Sequence, residues 1–397
     1  MHFLSADVIF PVNGSPVPAG ILVVEDDGGI IGIIDPAIEP VPSGPVETYK
    51  GFLCPGFINA HCHLELSWSK GLIPEGNGLD AFVRELEILR KTISPEQEML
   101  AMENAVAAML GSGVVAVGDI ANASLSASVK ERSNLRFHTF CEVFASDPAR
   151  AALAFAKISE VYTAFSALSC NSSASITPHA TYSVSEALMG LITGSQAEGA
   201  LISIHHQESP DENMFFLEGS GPIARRRQLF NPGLPTFNPT GKRPLEAIST
   251  NLRKDQKLLL VHNTFASAED VNFAMGNFPL LSWCLCPNAN LYIEKSLPPV
   301  GLFREKGCNL LLGTDSLASN HTLSILEELK TLSWHFPEVP LCEMLSWATK
   351  NGAEYFGFGK MGSFEQGKKP GVVWIKNVDA ERMTLLPEST SELIIPA

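Results

Sequence analysis

The pattern of hydrophobic and polar residues changes near residue 55. In the first fifty residues, short β-branched runs such as ADVIFPV and GILVVEDDGGIIGIID are separated by Gly, Pro and Asp-Gly turns, which predicts strands. From Pro55 onward, apolar strand-like runs alternate with helical patterns, which is typical of βα units around a parallel sheet. After the helical segment PLCEMLSWATKNGAEYFGF, the pattern returns to strands in GKKPGVVWIKNV and ELIIPA.

The central region contains eight candidate strands. They are FINAHCHLE, GVVAVGDIA, LRFHTFCEV, SASITPHAT, ALISIHHQE, KLLLVHNTF, LLSWCLCPN and NLLLGTDSL. Helical patterns lie between most of them, at Ser94–Leu110, Ala149–Ala167, Ser183–Ile192 and Leu323–His335. Eight parallel strands, each followed by a helix, is the number found in a TIM barrel. The connection after the fifth strand is long, from Ser209 to Asp255, and we expect its first part to face a substrate.

We therefore predict an α/β fold with two domains. A TIM (β/α)8 barrel of the metal-dependent hydrolase type is expected over residues 55–361. Residues 1–54 and 362–397 are expected to form a small β-sandwich domain, since the strands at the two chain ends resemble each other more than they resemble the barrel strands.

Composition narrows the classes of protein and partner. The 397 residues are 45% hydrophobic and 18% charged, which describes a globular chain with a large core. The net charge of −15 repels phosphate backbones, so nucleic acid is not an expected partner. No apolar run approaches about 20 residues, so no membrane span is expected. Eight cysteines without C-x-x-C spacing and a first segment without signal-peptide character predict reduced thiols and a cytoplasmic location.

Most of the ten histidines fall at the ends of the predicted strands, where barrel enzymes carry their active sites. The polar residues at these ends are His61, His63, His179, His205, His206, Glu208, His262 and Asp315. Scattered structural histidines would not be expected to sort in this way. The distribution therefore predicts a metal site.

The choice of ligands follows from strand alternation. His61 and His63 share one face of their strand, whereas His205 and His206 face opposite ways. We choose His205, because Glu208 then falls three residues on, past the strand end. The three histidines His61, His63 and His205, together with Asp315, then supply nitrogen and carboxylate ligands and leave one position on the metal open for water. We predict a divalent metal ion at this site, with zinc as the first choice and Fe, Mn, Co or Ni as alternatives.

Three residues are assigned to proton transfer and polarisation. A metal ion lowers the pKa of bound water towards ~7, and a carboxylate must still move the protons. Glu208 is the expected shuttle, and Asp315 can both touch the metal and accept the water proton. His262 can polarise a substituent of the attacked carbon or steady the hydroxide; the alternative is a core histidine bonded to a carbonyl.

Several motifs together resemble the amidohydrolase superfamily. They are PGFINAHCHLE, HHQE, LLVHNT, CPNANL and LGTDSLASN, combined with the β-domain from both chain ends. The pattern is similar to the branch of deaminases and chlorohydrolases, which includes cytosine, guanine, adenosine and S-adenosylhomocysteine deaminases. The resemblance implies one metal ion, since ITPHATYS lacks the lysine with which other branches bridge two metals. It also implies that His179 contacts substrate near the metal.

Other candidate substrate contacts lie in two loops. Glu65 and Trp68 follow the metal histidines into the first loop, where the glutamate could hold an amino or ring N–H group. A solvated loop charge is the alternative for Glu65. Arg225, Arg226 and Arg227 either form a solvated face, or one of them grips a substrate carboxylate or ribose.

The predicted function is hydrolytic deamination of an aminated N-heterocycle, a small-molecule substrate. The HLELS loop is similar to that of aminodeoxyfutalosine deaminases, which favours an adenine-nucleoside-like compound such as aminodeoxyfutalosine, adenosine or S-adenosylhomocysteine. One alternative is a cyclic amide or chlorotriazine hydrolase that uses the same site. The other is a metal-binding relative without turnover, against which Glu208, His262 and Asp315 argue. The sequence leaves the oligomeric state open, a homo-oligomer included.

Overall fold

The structure is a computed structural model that describes residues 1–169 and 172–397. Cys170, which belongs to the thiols considered above, lies outside the described residues. The seven cysteines of the described part form no disulfide bonds with one another. Within the same residues, no helix combines the length and the apolar character needed to cross a membrane.

The described residues form strands at both chain ends and alternating strands and helices between them. The strands are β1 (His2–Ile9), β2 (Val17–Pro18), β3 (Ile21–Val24), β4 (Ile30–Ile34), β5 (Glu47–Pro55), β6 (Phe57–Cys62), β7 (Val114–Ala121), β8 (Arg136–Val143), β9 (Ser172–Pro178), β10 (Leu201–His206), β11 (Lys257–His262), β12 (Leu281–Leu285), β13 (Leu310–Leu312), β14 (Val372–Asp379) and β15 (Thr384–Ile395). The α-helices are α1 (Gly78–Leu89), α2 (Pro95–Gly111), α3 (Ala127–Glu131), α4 (Ala151–Ser166), α5 (Glu186–Gly194), α6 (Pro210–Glu218), α7 (Gly221–Phe230), α8 (Pro244–Ile248), α9 (Ala268–Asn277), α10 (Pro287–Glu294), α11 (Val300–Glu305), α12 (Ile325–His335), α13 (Leu341–Ala348) and α14 (Lys350–Phe356). Short 3-10 helices occupy Leu64–Ser69, Pro148–Arg150 and Ser249–Asn251.

Strands from both chain ends share one mixed sheet. Its order is β15-β14-β5-β1-β3-β4, and β2 pairs with β1. β14 runs antiparallel to β5, so that Trp374 lies opposite Leu53. One face of this sheet buries a cluster of aliphatic side chains that includes Leu4, Ile9 and Val372.

The central region forms two parallel sheets of four strands, β6-β7-β8-β9 and β10-β11-β12-β13. Each of the eight predicted strand segments overlaps one of these strands, and the predicted α/β class is confirmed. Single parallel bridges connect the edges of the two sheets, between Cys62 and Asp315 and between Ala180 and His205. All eight residues of β7 are buried, as expected for a parallel strand covered on both faces.

Helix boundaries follow local capping chemistry. Ser94 caps α2 in a capping box with Gln97, and Pro95 occupies the first turn. The four predicted helical segments correspond to α2, α4, α5 and α12. The long connection after β10 contains α6, α7 and α8. Helix α1 lies in the first connection, where no helix was predicted.

A buried asparagine ties the two parallel sheets together beside the predicted site. The Asn59 side chain on β6 donates from Nδ2 to Thr314 Oγ1 at 2.7 Å and accepts from the Thr314 backbone N–H at 3.1 Å. Its exposed fraction is 0%, so water cannot replace either bond. The residues that follow β13 are thereby held against the first parallel strand.

We expect Asn59→Ala to lower the free energy of unfolding by about 1–3 kcal/mol, because it leaves polar groups of Thr314 buried without their side-chain partner. Urea unfolding monitored by circular dichroism measures the change. Asn13→Ala, at an exposed position, is the control and should stay within about 0.5 kcal/mol of the parent. Equal stability of the two variants would contradict the structural role given to Asn59.

Candidate active site

Three histidines and one aspartate converge where β6, β10 and β13 end. His63 Nε2 lies 3.2 Å from His61 Nε2 and 3.1 Å from His205 Nε2. Asp315 Oδ1 is 3.4 Å from His63 Nε2 and 3.6 Å from His61 Nε2. The four predicted ligands are therefore brought together, with the same ring nitrogen of each histidine facing the shared centre.

Four residues at the strand ends next to this centre have a strained, left-handed backbone. Gln207, His262, Asn263 and Asp315 all have positive φ values, between 46° and 71°. Residues other than glycine rarely adopt this left-handed conformation, and it persists where surrounding contacts enforce it. Their concentration at the ends of β10, β11 and β13 is typical of a functional site.

The hydrogen bonding of His205 shows why these residues suit a cation. Its Nδ1 lies 2.9 Å from the carbonyl oxygen of His179, which can only accept, so Nδ1 carries the hydrogen. Nε2 of His205 is then a bare acceptor that points at His63 Nε2. His61 is completely buried, and its Nδ1 has no hydrogen-bond partner among the described residues. A metal ion satisfies such converging lone pairs together, and one carboxylate with three imidazoles matches the ligand chemistry of zinc.

The pKa values favour the protonation states that a ligand set needs. Burial lowers the pKa of His61 and lowers that of His205 well below its usual value, which keeps both rings neutral. Burial raises the pKa of Asp315, but its contact with the His61 ring outweighs this and holds the pKa below the usual range. Ser319 Oγ donates to the other carboxylate oxygen of Asp315.

Glu208 and His262 lie beside the ligand set. Asn290 Nδ2 donates to His262 Nδ1 at 3.1 Å, so the His262 hydrogen is on Nε2, 3.8 Å from Glu208 Oε1. Burial lowers the pKa of His262 to about 3, which makes it a neutral donor. Burial, with the negative charges of Asp315 and other carboxylates, raises the pKa of Glu208 well above its usual value. A raised pKa makes the ionised carboxylate a stronger base, which suits a group that accepts a proton and then passes it on.

A cavity of about 660 Å³ opens over these residues. Apolar side chains of α1 form one wall, and aromatic and cationic side chains from other elements complete the lining. The residues that line the cavity include Leu79, Phe82, Val83, Leu86, Phe144, Arg150, Lys157, Arg226 and Phe230. Volume and lining match the concave, mostly apolar pockets that bind small molecules.

The predicted substrate contacts are divided between the cavity and its support. His179 lines the cavity, and its ring centroid lies 4.8 Å from that of His205. Glu65 and Trp68 do not line it. The Glu65 carboxylate accepts from the backbone N–H groups of Asn122 and Ala123, and burial raises its pKa to about 7. A substrate-binding role of Glu65 and Trp68 stays a prediction that these contacts do not favour.

The structure also gives the positions of His206 and of the three arginines whose roles the sequence left open. His206 is completely buried and donates from Nδ1 to Asn263 Oδ1 at 2.9 Å. Arg226 and Arg227 line the cavity, whereas Arg225 does not. Arg226 is paired with Asp80 of α1 at 3.3 Å and with Glu87 at 3.1 Å.

Two features of the site were not identified from the sequence. Glu142 lies at the end of β8, with Oε1 3.3 Å from His205 Nδ1 and Oε2 accepting from Asn122 Nδ2 at 3.0 Å. Its position in TFCEV, at a strand end, is the signal that could have identified it. The apolar wall of α1 follows a loop rich in glycine, where no strand-end rule applies.

Comparison with known proteins identifies the family. The model of the family described as Amidohydrolase family matches residues 52–387. The chain belongs to the amidohydrolase family. The resemblance inferred from the sequence motifs is thereby confirmed. Among curated relatives, this amidohydrolase is 26% identical over 336 residues to the aminodeoxyfutalosine deaminase of a Nitratiruptor species, covering 83% of this chain and 80% of the relative.

Solved structures share the fold of this amidohydrolase. Helicobacter pylori aminofutalosine deaminase in complex with methylthio-coformycin matches with a TM-score of 0.81 and 23% identity, over 96% of this chain and 93% of that one. An adenosine deaminase from Xanthomonas campestris with bound zinc matches with a TM-score of 0.72 and 21% identity, over 94% and 84%. At these identities the likeness supports the fold.

We expect His205→Gln to lower the metal content of the purified amidohydrolase strongly, because it removes one converging imidazole. His206→Gln changes the neighbouring histidine, which is bonded to Asn263, and should keep the wild-type metal content. Elemental analysis of both variants after identical purification gives the comparison. Loss of metal from His206→Gln alone would reverse the assignment of the two residues.

Proposed function

We propose that this amidohydrolase is a metal-dependent aminohydrolase that deaminates an adenine-nucleoside-like compound. The observation that carries the proposal is the meeting of His61, His63 and His205 Nε2 atoms with Asp315, directly beside Glu208 and His262. A scaffold that only binds metal needs neither a buried proton carrier nor a neutral histidine donor at the cavity floor.

One divalent ion per chain is proposed, held by His61, His63, His205 and Asp315. Zinc is our choice, because nitrogen and carboxylate ligands suit it and because the adenosine deaminase of Xanthomonas campestris contains zinc. The ion supplies Lewis-acid activation of water at neutral pH. The side chains around it bind, orient and transfer protons.

In the proposed reaction, water adds to the ring carbon that bears the amino group, and ammonia leaves. Glu208 takes a proton from the attacking water and delivers it to the adjacent ring nitrogen. His262 donates from Nε2 to the attacking oxygen and holds it in place. Asp315 accepts the second proton, which passes to the departing amine. The product carries a ring carbonyl in place of the amine, and one ammonia is released for each water consumed.

The cavity supports the proposed class of substrate. A planar heterocycle fits against the apolar wall formed by Phe82 and Leu86, with His179 near the reacting edge. A volume of about 660 Å³ leaves room for a sugar and a substituent on it. The named activity of the Nitratiruptor relative, aminodeoxyfutalosine deamination, lies in this class and makes that compound the first to test.

We also propose that the two parallel sheets form one closed (β/α)8 barrel over residues 55–361, with residues 1–54 and 362–397 as the β-sandwich domain. The bridges Cys62–Asp315 and Ala180–His205 support closure at both seams. The solved amidohydrolase structures named above support the same architecture. A cytoplasmic location, the absence of nucleic-acid partners and a homo-oligomer remain proposals from the sequence.

An ammonia-release assay tests the function. We expect ammonia from aminodeoxyfutalosine, adenosine or a related adenine nucleoside. Glu208→Gln should keep its metal but lose about 10²–10⁴-fold in kcat, since the amide cannot carry the proton. Glu218→Gln, an exposed glutamate on α6, is the matched control and should retain the wild-type rate.

Other outcomes identify the alternatives. Opening of a cyclic amide without ammonia, or release of chloride from a chlorotriazine, would favour the second type of hydrolase. A metal-loaded protein that is silent towards all of these compounds would favour a relative without turnover. Near-normal turnover by metal-replete Glu208→Gln would reject Glu208 as the proton shuttle.

A further inference from the structure

A completely buried ion pair lies outside the cavity, close to the metal ligands. Lys130 Nζ of α3 is 2.6 Å from Asp119 Oδ2 of β7, and both side chains have an exposed fraction of 0%. Neither residue lines the cavity. Taking two charges out of water is costly, and apolar replacements of buried pairs often leave stability unchanged or raise it. Stability alone is therefore a weak reason for this pair.

The other carboxylate oxygen of Asp119 holds the backbone beside a proposed ligand. Oδ1 accepts the backbone N–H of Leu64 at 2.8 Å. Leu64 directly follows His63 and begins the 3-10 helix Leu64–Ser69, whose N-cap is His63. His63 makes no side-chain capping bond, although helix N-termini need acceptors for their free N–H groups. Asp119 supplies that acceptor from the neighbouring strand.

Lys130 balances the buried charge of the Asp119 carboxylate. Besides this ion pair, its Nζ donates to Thr139 Oγ1 of β8 at 2.9 Å and lies 4.3 Å from the ring centroid of Phe165 on α4. With Oδ2 paired with Lys130, Oδ1 accepts the Leu64 N–H. The contact connects β8, α3 and β7 to the residue that follows His63.

We propose that Asp119 is a positioning residue of the metal centre. It fixes the backbone immediately after His63, so that His63 Nε2 stays 3.2 Å from His61 Nε2 and 3.1 Å from His205 Nε2 before metal binds. Lys130 serves by balancing the charge of the buried Asp119 carboxylate. The proposal rests on the assignment of His63 as a metal ligand under the proposed function.

Two double variants separate the acceptor from the charge. Asp119→Asn with Lys130→Met removes both charges but keeps a carbonyl oxygen for the Leu64 N–H. Asp119→Leu with Lys130→Met removes the acceptor as well, with the same number and branching of side-chain heavy atoms at residue 119. Zinc affinity of the full-length apoprotein is measured by competition with a chromophoric chelator, so the readout does not depend on turnover.

The Asp119→Asn, Lys130→Met protein (the Asn/Met variant) should bind zinc within about 3-fold of the wild type. The Asp119→Leu, Lys130→Met protein (the Leu/Met variant) should bind zinc about 10–100-fold more weakly, which is the usual loss when a group that orients a metal ligand is removed. Glu103→Gln, which breaks the exposed Arg132–Glu103 pair near the same helix, should leave affinity unchanged. Equal affinities of the two double variants would overturn the proposal, whether both match the wild type or both are weakened.

A further variant tests the proposal if the Leu/Met variant does not fold. Asp119→Glu keeps the charge facing Lys130 but displaces the acceptor by one methylene, and it should bind zinc more weakly than the wild type. Wild-type affinity of Asp119→Glu would overturn the proposal. A wild-type protein that does not bind zinc would instead contradict the proposed function, together with the ligand assignment on which the role of Asp119 rests.

Discussion

The neutral His205 ring donates its single N–H, on Nδ1, to the carbonyl oxygen of His179. Its Nε2 therefore carries no hydrogen and faces His63 Nε2, 3.1 Å away. Burial lowers the pKa of His205 well below its usual value, so the ring cannot relieve this contact by taking up a proton. Asp315 adds a carboxylate at 3.4 Å from His63 Nε2. Converging lone pairs and one negative charge, held away from water, are stable together when a cation lies among them, and the surrounding structure serves to maintain that arrangement.

The fold maintains it by joining elements that are distant in the chain. Asn59 connects the first parallel strand to the segment after β13, which carries Asp315. The left-handed backbone at His262 and Asp315 turns both side chains towards the cavity. Asn290 accounts for one ring nitrogen of His262 and thereby leaves the hydrogen on the other, next to Glu208. These features set the directions of the His262 and Asp315 side chains and the tautomer of the His262 ring, and they take no part in proton transfer.

Much of this arrangement could be predicted from the sequence, because buried parallel strands are continuous apolar runs and their ends carry the polar residues. The eight strand segments and the convergence of His61, His63 and His205 follow from that rule, whereas the family was predicted from the resemblance of several motifs. It fails in the connections. Periodicity does not indicate which wall a loop helix builds, so α1 was missed as a wall of the cavity. Glu65 was predicted to face substrate from its position two residues after His63, and this role stays a prediction; in the Leu64–Ser69 helix its carboxylate accepts from the backbone of Asn122.

Our central proposal is that each chain binds one metal ion through one set of atoms. A crystal structure of the zinc-loaded protein, with anomalous diffraction recorded at the zinc absorption edge, tests it most directly. We predict one anomalous peak per chain, surrounded by Nε2 of His61, His63 and His205 and by Asp315 Oδ1. A second peak of comparable height, or a single peak held instead by Glu142 and His179, would contradict the mononuclear assignment.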